Sequence, residues 1–127
     1  MSYTIKPSDD RNYIILKVCG EINRELAMKQ NLEAHALGAE LGINRYLVDV
    51  TEARNVDSVI SNYRFAYEEM RLPTGINVRA RVATLVRPDD HSHDFVETVS
   101  RNAGLNVTIF RDREQAIQHL LKGIQND

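Results

Sequence analysis

The densest set of ionisable side chains in this 127-residue chain is Pro88-Asp89-Asp90-His91-Ser92-His93-Asp94-Phe95. Three carboxylates and two imidazoles could ligate a metal or exchange protons. The segment also lies where a strand gives way to a helix, and α/β folds converge strand carboxyl ends and helix amino ends on ligands at such turns. The spacing argues against a closed zinc site, because His-x-His at a helix start sends its two rings in different directions and no second ligand set follows. Capping by Asp90 or Ser92, with the acids complementing the positive helix end, accounts for the same residues. A second junction carries Asp57-Ser58 between an apolar strand and a helix, where the pair reads as a cap, a reactive site or a switch.

Other chemistry is sparse. The single cysteine, Cys19, has no partner for an internal disulfide and follows the apolar run Tyr13 to Val18, so a buried structural thiol is expected. His35 and His119 stand singly on predicted helices and read as solvated or locally bonded. A nucleophile needs an adjacent base held by a third group, and no local pattern assembles one. There is no nucleophile elbow, Gly-rich phosphate loop or dinucleotide fingerprint, so neither a catalytic residue nor a cofactor is assigned. The expectation is a protein that is not an enzyme.

Sixteen basic against eighteen acidic residues give a net charge of -2. That balance supplies no footprint for nucleic acid or an anionic membrane, leaving one basic spot, Arg79-Ala80-Arg81 with Arg87, which reads equally as the rim of a strand. No signal-peptide pattern or membrane-length apolar run is present, so the expected location is the cytoplasm. The length suits one domain, residues 1–127, with its own core.

The elements that must position these residues follow from periodicity. Tyr3 to Lys6 and Tyr13 to Cys19 read as a hairpin around the polar turn 7–12. Gly20-Glu21-Ile22-Asn23 ends the second strand, and Asn23 caps a helix running to about Leu41 before Gly42 stops it. That helix bears two apolar stripes: Ile22, Leu26, Leu37 and Leu41 on one, Met28, Leu32, Ala36 and Ala39 on the other. The first covers the sheet, and the second meets a neighbouring helix or a second copy in a homodimer. Arg45 to Val50 is a buried strand. A helix follows, with Val56, Val59, Ile60, Tyr63, Ala66, Tyr67 and Met70 on its inner face. Ala80 to Val86 is a strand, Ser92 to Ala103 a helix with Phe95 inward, Asn106 to Phe110 a strand, and Arg113 to Leu121 a helix with a capping box of Asp112 and Gln115. The order ββαβαβαβα predicts an α/β sandwich, with a mostly parallel five-stranded sheet, one antiparallel strand and four helices.

On the outer face of the helix after the third strand, Phe65 shares a side with Ser58, Ser61 and Glu69, which makes Ser61, Phe65 and Glu69 candidate contacts for a partner protein.

The element order, Gly20-Glu21-Ile22-Asn23 before the first helix, Leu47-Val48-Asp49-Val50-Thr51, and Phe110-Arg111-Asp112 followed by Glu114, Ala116 and Leu120-Leu121 resemble the STAS and SpoIIAA-like family along nearly the whole chain. The resemblance implies a regulatory module that binds a protein partner. It also implies that Ser58 corresponds to the phosphorylated serine of the family's anti-sigma-factor antagonists, where an Asp-Ser pair opens the helix after the third strand. A phosphate there would meet free N–H groups and the positive dipole end. The sequence departs from those antagonists in following Ser58 with Val59-Ile60-Ser61-Asn62 rather than small residues. The branch also resembles lipid-carrying Sec14-type domains, which implies an alternative apolar ligand lined by Tyr63, Tyr67, Met70 and Phe95. An enzyme built on the Asp89 to Asp94 turn is the second alternative.

Overall fold

The computed structural model describes residues 2–56, 79–91, 93 and 106–122. They form strands β1 (Ser2–Pro7) and β2 (Ile14–Ile22), helix α1 (Arg24–Leu41), strands β3 (Arg45–Asn55), β4 (Arg81–Leu85) and β5 (Asn106–Phe110), and helix α2 (Arg113–Leu121). The five strands lie in the order β1-β2-β3-β4-β5, with β1 antiparallel to β2 and every later pair parallel. This is the expected α/β fold with a mixed sheet. The two helices expected between β3 and β5 fall outside the described residues.

Each turn has a local cause. In the β1–β2 connection, Arg11 adopts a left-handed φ of 57°. The strain is held by Asp10, whose Oδ1 accepts from Ser8 Oγ at 2.6 Å and Asn12 N at 3.1 Å. At the start of α1 the Asn23 side chain accepts from Leu26 N, and at its end Gly42 takes the left-handed conformation (φ 72°) with its N–H bonded to Gly38 O. Both caps satisfy groups that the helix leaves open. Asp112 caps α2 by accepting from Glu114 N at 2.8 Å and Gln115 N at 3.2 Å. At the other end of α2, Arg81 donates to the His119 carbonyl at 3.0 Å and the Lys122 carbonyl at 2.6 Å, placing a cation at the negative dipole end.

Alternation along the strands divides the core in two. Ile14, Leu16, Val18, Tyr46, Val50 and Ala53 face α1, against which Leu26, Leu37 and Leu41 pack; Leu47, Ala83 and Leu85 face α2 and meet Ala116 and Leu120. Burying side chains of this size contributes about 1.5–3 kcal/mol each, so these two faces dominate the fold's stability.

Several expectations need correction. β2 continues through Gly20 to Ile22, and β3 runs to Asn55 rather than Val50, because the two strands go on pairing. Cys19 is only partly buried: Val18 takes the α1 face, so Cys19 points the other way, next to Glu52. Of the second apolar stripe on α1, Ala36 and Ala39 are exposed and Leu32 half-buried, while Gln30 and Ala34 are buried instead. His35 is buried rather than solvated. Its ring stacks on Tyr46 with centroids 4.4 Å apart and planes 9° from parallel. The Tyr46 hydroxyl, bonded to the Ile43 carbonyl at 3.3 Å, lies over Gly38.

Two outcomes follow. A Cβ at Gly38 would collide with the Tyr46 hydroxyl and lie 2.6 Å from the Ile43 carbonyl, so Gly38→Ala should lower stability by about 1–3 kcal/mol in urea unfolding. Burial also pushes the His35 pKa from 6.5 down to about 4. The unfolded chain therefore binds a proton that the folded chain refuses. The stabilising contribution is complete above pH 6.5 and is lost as pH falls towards 4, at about 1.4 kcal/mol per pH unit. His35→Gln should flatten that part of a pH–stability profile.

Candidate functional site

The strand that leads to Asp57-Ser58 is shaped by a buried carboxylate. Lys17 pairs with Asp49 but Cys19 pairs with Glu52, so Val18 alone stands opposite Val50 and Thr51. Such a bulge leaves a backbone group out of the regular ladder. Here the Thr51 N–H donates to Asp49 Oδ1 at 3.0 Å, and the Thr51 hydroxyl donates to the same oxygen at 2.6 Å. Asp49 Oδ2 accepts from Arg113, the first residue of α2, at 2.5 Å. Burial opposes charge on Asp49, but the hydrogen bonds from Thr51 and Arg113 and the nearby guanidinium outweigh it and hold the carboxyl below the usual range.

The bulge has a consequence for side-chain direction. Tyr46, Val48 and Val50 face α1, and the extra residue lets Ala53 face it too, leaving Glu52 and Arg54 exposed. Continuous pairing would turn Glu52 and Arg54 into the core. Beyond the bulge, Glu52 accepts from Lys17 at 3.1 Å and from the Cys19 thiol at 3.4 Å. The bond to Glu52 and the surrounding burial raise the thiol's pKa, so Cys19 stays protonated and weakly nucleophilic. β3 ends beside β2, with Val56 N bonded to the Ile22 carbonyl at 3.0 Å and the Val56 side chain 51% exposed. Val56 directly precedes Asp57-Ser58.

The turn after β4 brings together several of the residues expected there. Asp90 and His93 are both buried, with His93 Nε2 3.8 Å from Asp90 Oδ2. Asp90 N donates to the Arg87 carbonyl at 3.1 Å, and exposed Asp89 lies 3.8 Å from Arg87. Arg111, just after β5, approaches the Asp90 carbonyl at 3.5 Å and His91 Nδ1 at 3.4 Å. The turn therefore separates an inward acid–imidazole pair from an outward His91–Arg111 pair. Among the described residues, no group of three or more His, Cys, Asp and Glu could hold a metal ion.

Ser58, Ser61, Tyr63, Phe65, Tyr67, Glu69, Met70 and Phe95 lie outside the described residues, as do Ser92 and Asp94. Arg87 stands at the opposite end of β4 from Arg79 and Arg81, so the basic spot read from the sequence is not one patch. His119 packs against Phe110 with centroids 5.1 Å apart. Sequence reasoning missed Arg111 and Arg113. Arg113 carries a signal in hindsight, since a cation in the first turn of a helix opposes the dipole and calls for a carboxylate partner.

Neither a protein-family model nor a curated protein matches the chain. Solved structures do. The anti-sigma factor antagonist SpoIIAA in its unphosphorylated form matches with a TM-score of 0.56 and 16% identity, over 97% of this chain and 100% of that one. The Bacillus cell fate determinant SpoIIAA in its phosphorylated form matches with a TM-score of 0.54 and 16% identity, over 94% and 99%. The chain has the SpoIIAA-like fold. An uncharacterised DUF3478-family protein with a SpoIIAA-like fold from Shewanella loihica has a TM-score of 0.48 and 19% identity, over 94% and 92%. No helix among the described residues of this SpoIIAA-like chain is long and apolar enough to cross a membrane.

Asp49→Asn keeps the shape of the side chain but turns an amide N–H towards a donor. It should cost about 1–3 kcal/mol in chemical unfolding at pH 7, and Arg113→Ala, a half-exposed partner, less. Because the folded-state pKa of Asp49 is depressed, its contribution is present above the unfolded carboxylate range near pH 4 and lost as pH falls through the lower folded value. The difference between wild type and Asp49→Asn should therefore narrow in acid.

Proposed function

We propose that the chain is a single, non-enzymatic SpoIIAA-like binding domain that acts as a regulatory protein-interaction module. The likeness in fold to SpoIIAA in both its unphosphorylated and phosphorylated forms carries this reading. It is supported by where β3 ends, since an exposed Val56 leads directly into Asp57-Ser58. In this reading four helices accompany the sheet, and the one after β3 meets a protein partner through Ser61, Phe65 and Glu69. Ser58 is the phosphoacceptor. A charge added there would change the surface that the partner reads, through the helix amino end rather than through the core.

The test is affinity capture from the native cytoplasm with the full chain as bait. Phe65→Asp should abolish retention of the partner while leaving the circular dichroism spectrum and melting temperature within error. Equal retention by wild type and Phe65→Asp would overturn the assignment of that face.

A further inference from the structure

Arg45 is the first residue of β3 and Arg81 the first of β4, and the parallel register sets them directly opposite each other. Asn106, the first residue of β5, stands opposite Arg81 on its other side. The three occupy one row across strands spaced about 4.8 Å apart. By alternation they share the sheet face of Leu47, Ala83 and Phe110, the face that α2 covers. Like charges placed directly opposite destabilise a sheet, and among the described residues no carboxylate pairs with either guanidinium.

The donors are also incompletely used. Arg81 spends one terminal nitrogen on the His119 and Lys122 carbonyls, which neutralises the negative end of α2 and leaves the rest of its fork. Arg45 Nε is shielded from solvent and makes no hydrogen bond. Asn106 is exposed and adds an amide donor to the row. Two arginines thus begin neighbouring strands at the amino end of the parallel sheet, with the Arg81 terminal nitrogen answered only by the His119 and Lys122 carbonyls and Arg45 Nε by no acceptor among the described residues.

We propose that Arg45, Arg81 and Asn106 form a binding site for a phosphate-class oxyanion. Two arginines opposite each other on neighbouring strands suit it because a guanidinium fork can engage two oxygens of a tetrahedral anion, and a bound dianion would offset the repulsion between the like charges. The site lies at the opposite end of the sheet from Asn55, where β3 ends, and does not rest on the partner surface proposed above.

Inorganic phosphate is the probe. It is titrated into the full chain at constant ionic strength while the arginine Nε–Hε resonances are followed by NMR. Arg45 and Arg81 should shift saturably, and Arg45→Gln should weaken the apparent affinity about tenfold or more. Arg81→Gln would also strip the cap from α2, so Arg45 is the informative position, and Arg45→Lys should recover only part of the affinity. No saturable shift, shifts undiminished in Arg45→Gln, or the same shifts with chloride would each overturn the site. A second arm uses phosphatidylglycerol vesicles. Sedimentation relieved by phosphate would identify the anion as a headgroup, and phosphate-induced shifts without sedimentation would identify it as a free anion.

Discussion

The structure turns on one buried carboxylate. Asp49 is 1% exposed and sits where β3 takes up an extra residue. A carboxylate removed from water is costly unless its oxygens are bonded and a cation is close. Both conditions are met, by Thr51 on its own strand and by Arg113 on α2. One side chain therefore stabilises the bulge, ties the last helix to the middle of the sheet, and fixes which side chains of distal β3 face inward. Since β3 ends at Asn55, that bulge also sets the direction in which the strand reaches Val56, the residue before Asp57-Ser58 in the sequence.

The two ends of the sheet differ in chemistry because the parallel strands all point one way. At their carboxyl ends the chain gathers Asp90, His91, His93 and Arg111, with Val56 beyond the end of β3. At their amino ends it gathers Arg45, Arg81 and Asn106. α2 spans the face between these ends, held by Asp49 at its first residue and by Arg81 at its last turn. A mixed sheet with only β1 antiparallel gives this polarity, since the residues that begin strands collect at one end and those that follow strands at the other.

Much of this was legible in the sequence, where it depended on local rules. Asn23, Gly42 and Asp112 act as the caps their types suggest, and β5 and α2 fall on the residues that periodicity assigns. The resemblance to the SpoIIAA-like family also held at the level of fold. What local rules missed was decided between distant segments. The extension of β3 past Val50 depends on a bulge set by Asp49 and on pairing with Gly20 to Ile22. The burial of His35 depends on Tyr46, which is not on its helix. Arg45 joins Arg81 only through register, 36 positions apart in the chain. Periodicity reads one segment at a time and is blind to such pairs.

The proposal that this chain works by binding a protein through the helix that follows β3 is tested most directly by native mass spectrometry of the protein isolated from its own cells, with peptide mapping across Ser58. The account predicts a mass for a protein complex, and phosphate on Ser58 in a fraction of the chains. A free chain carrying only a noncovalent apolar passenger, with Ser58 bare, would contradict it and leave Asp57-Ser58 as a helix cap.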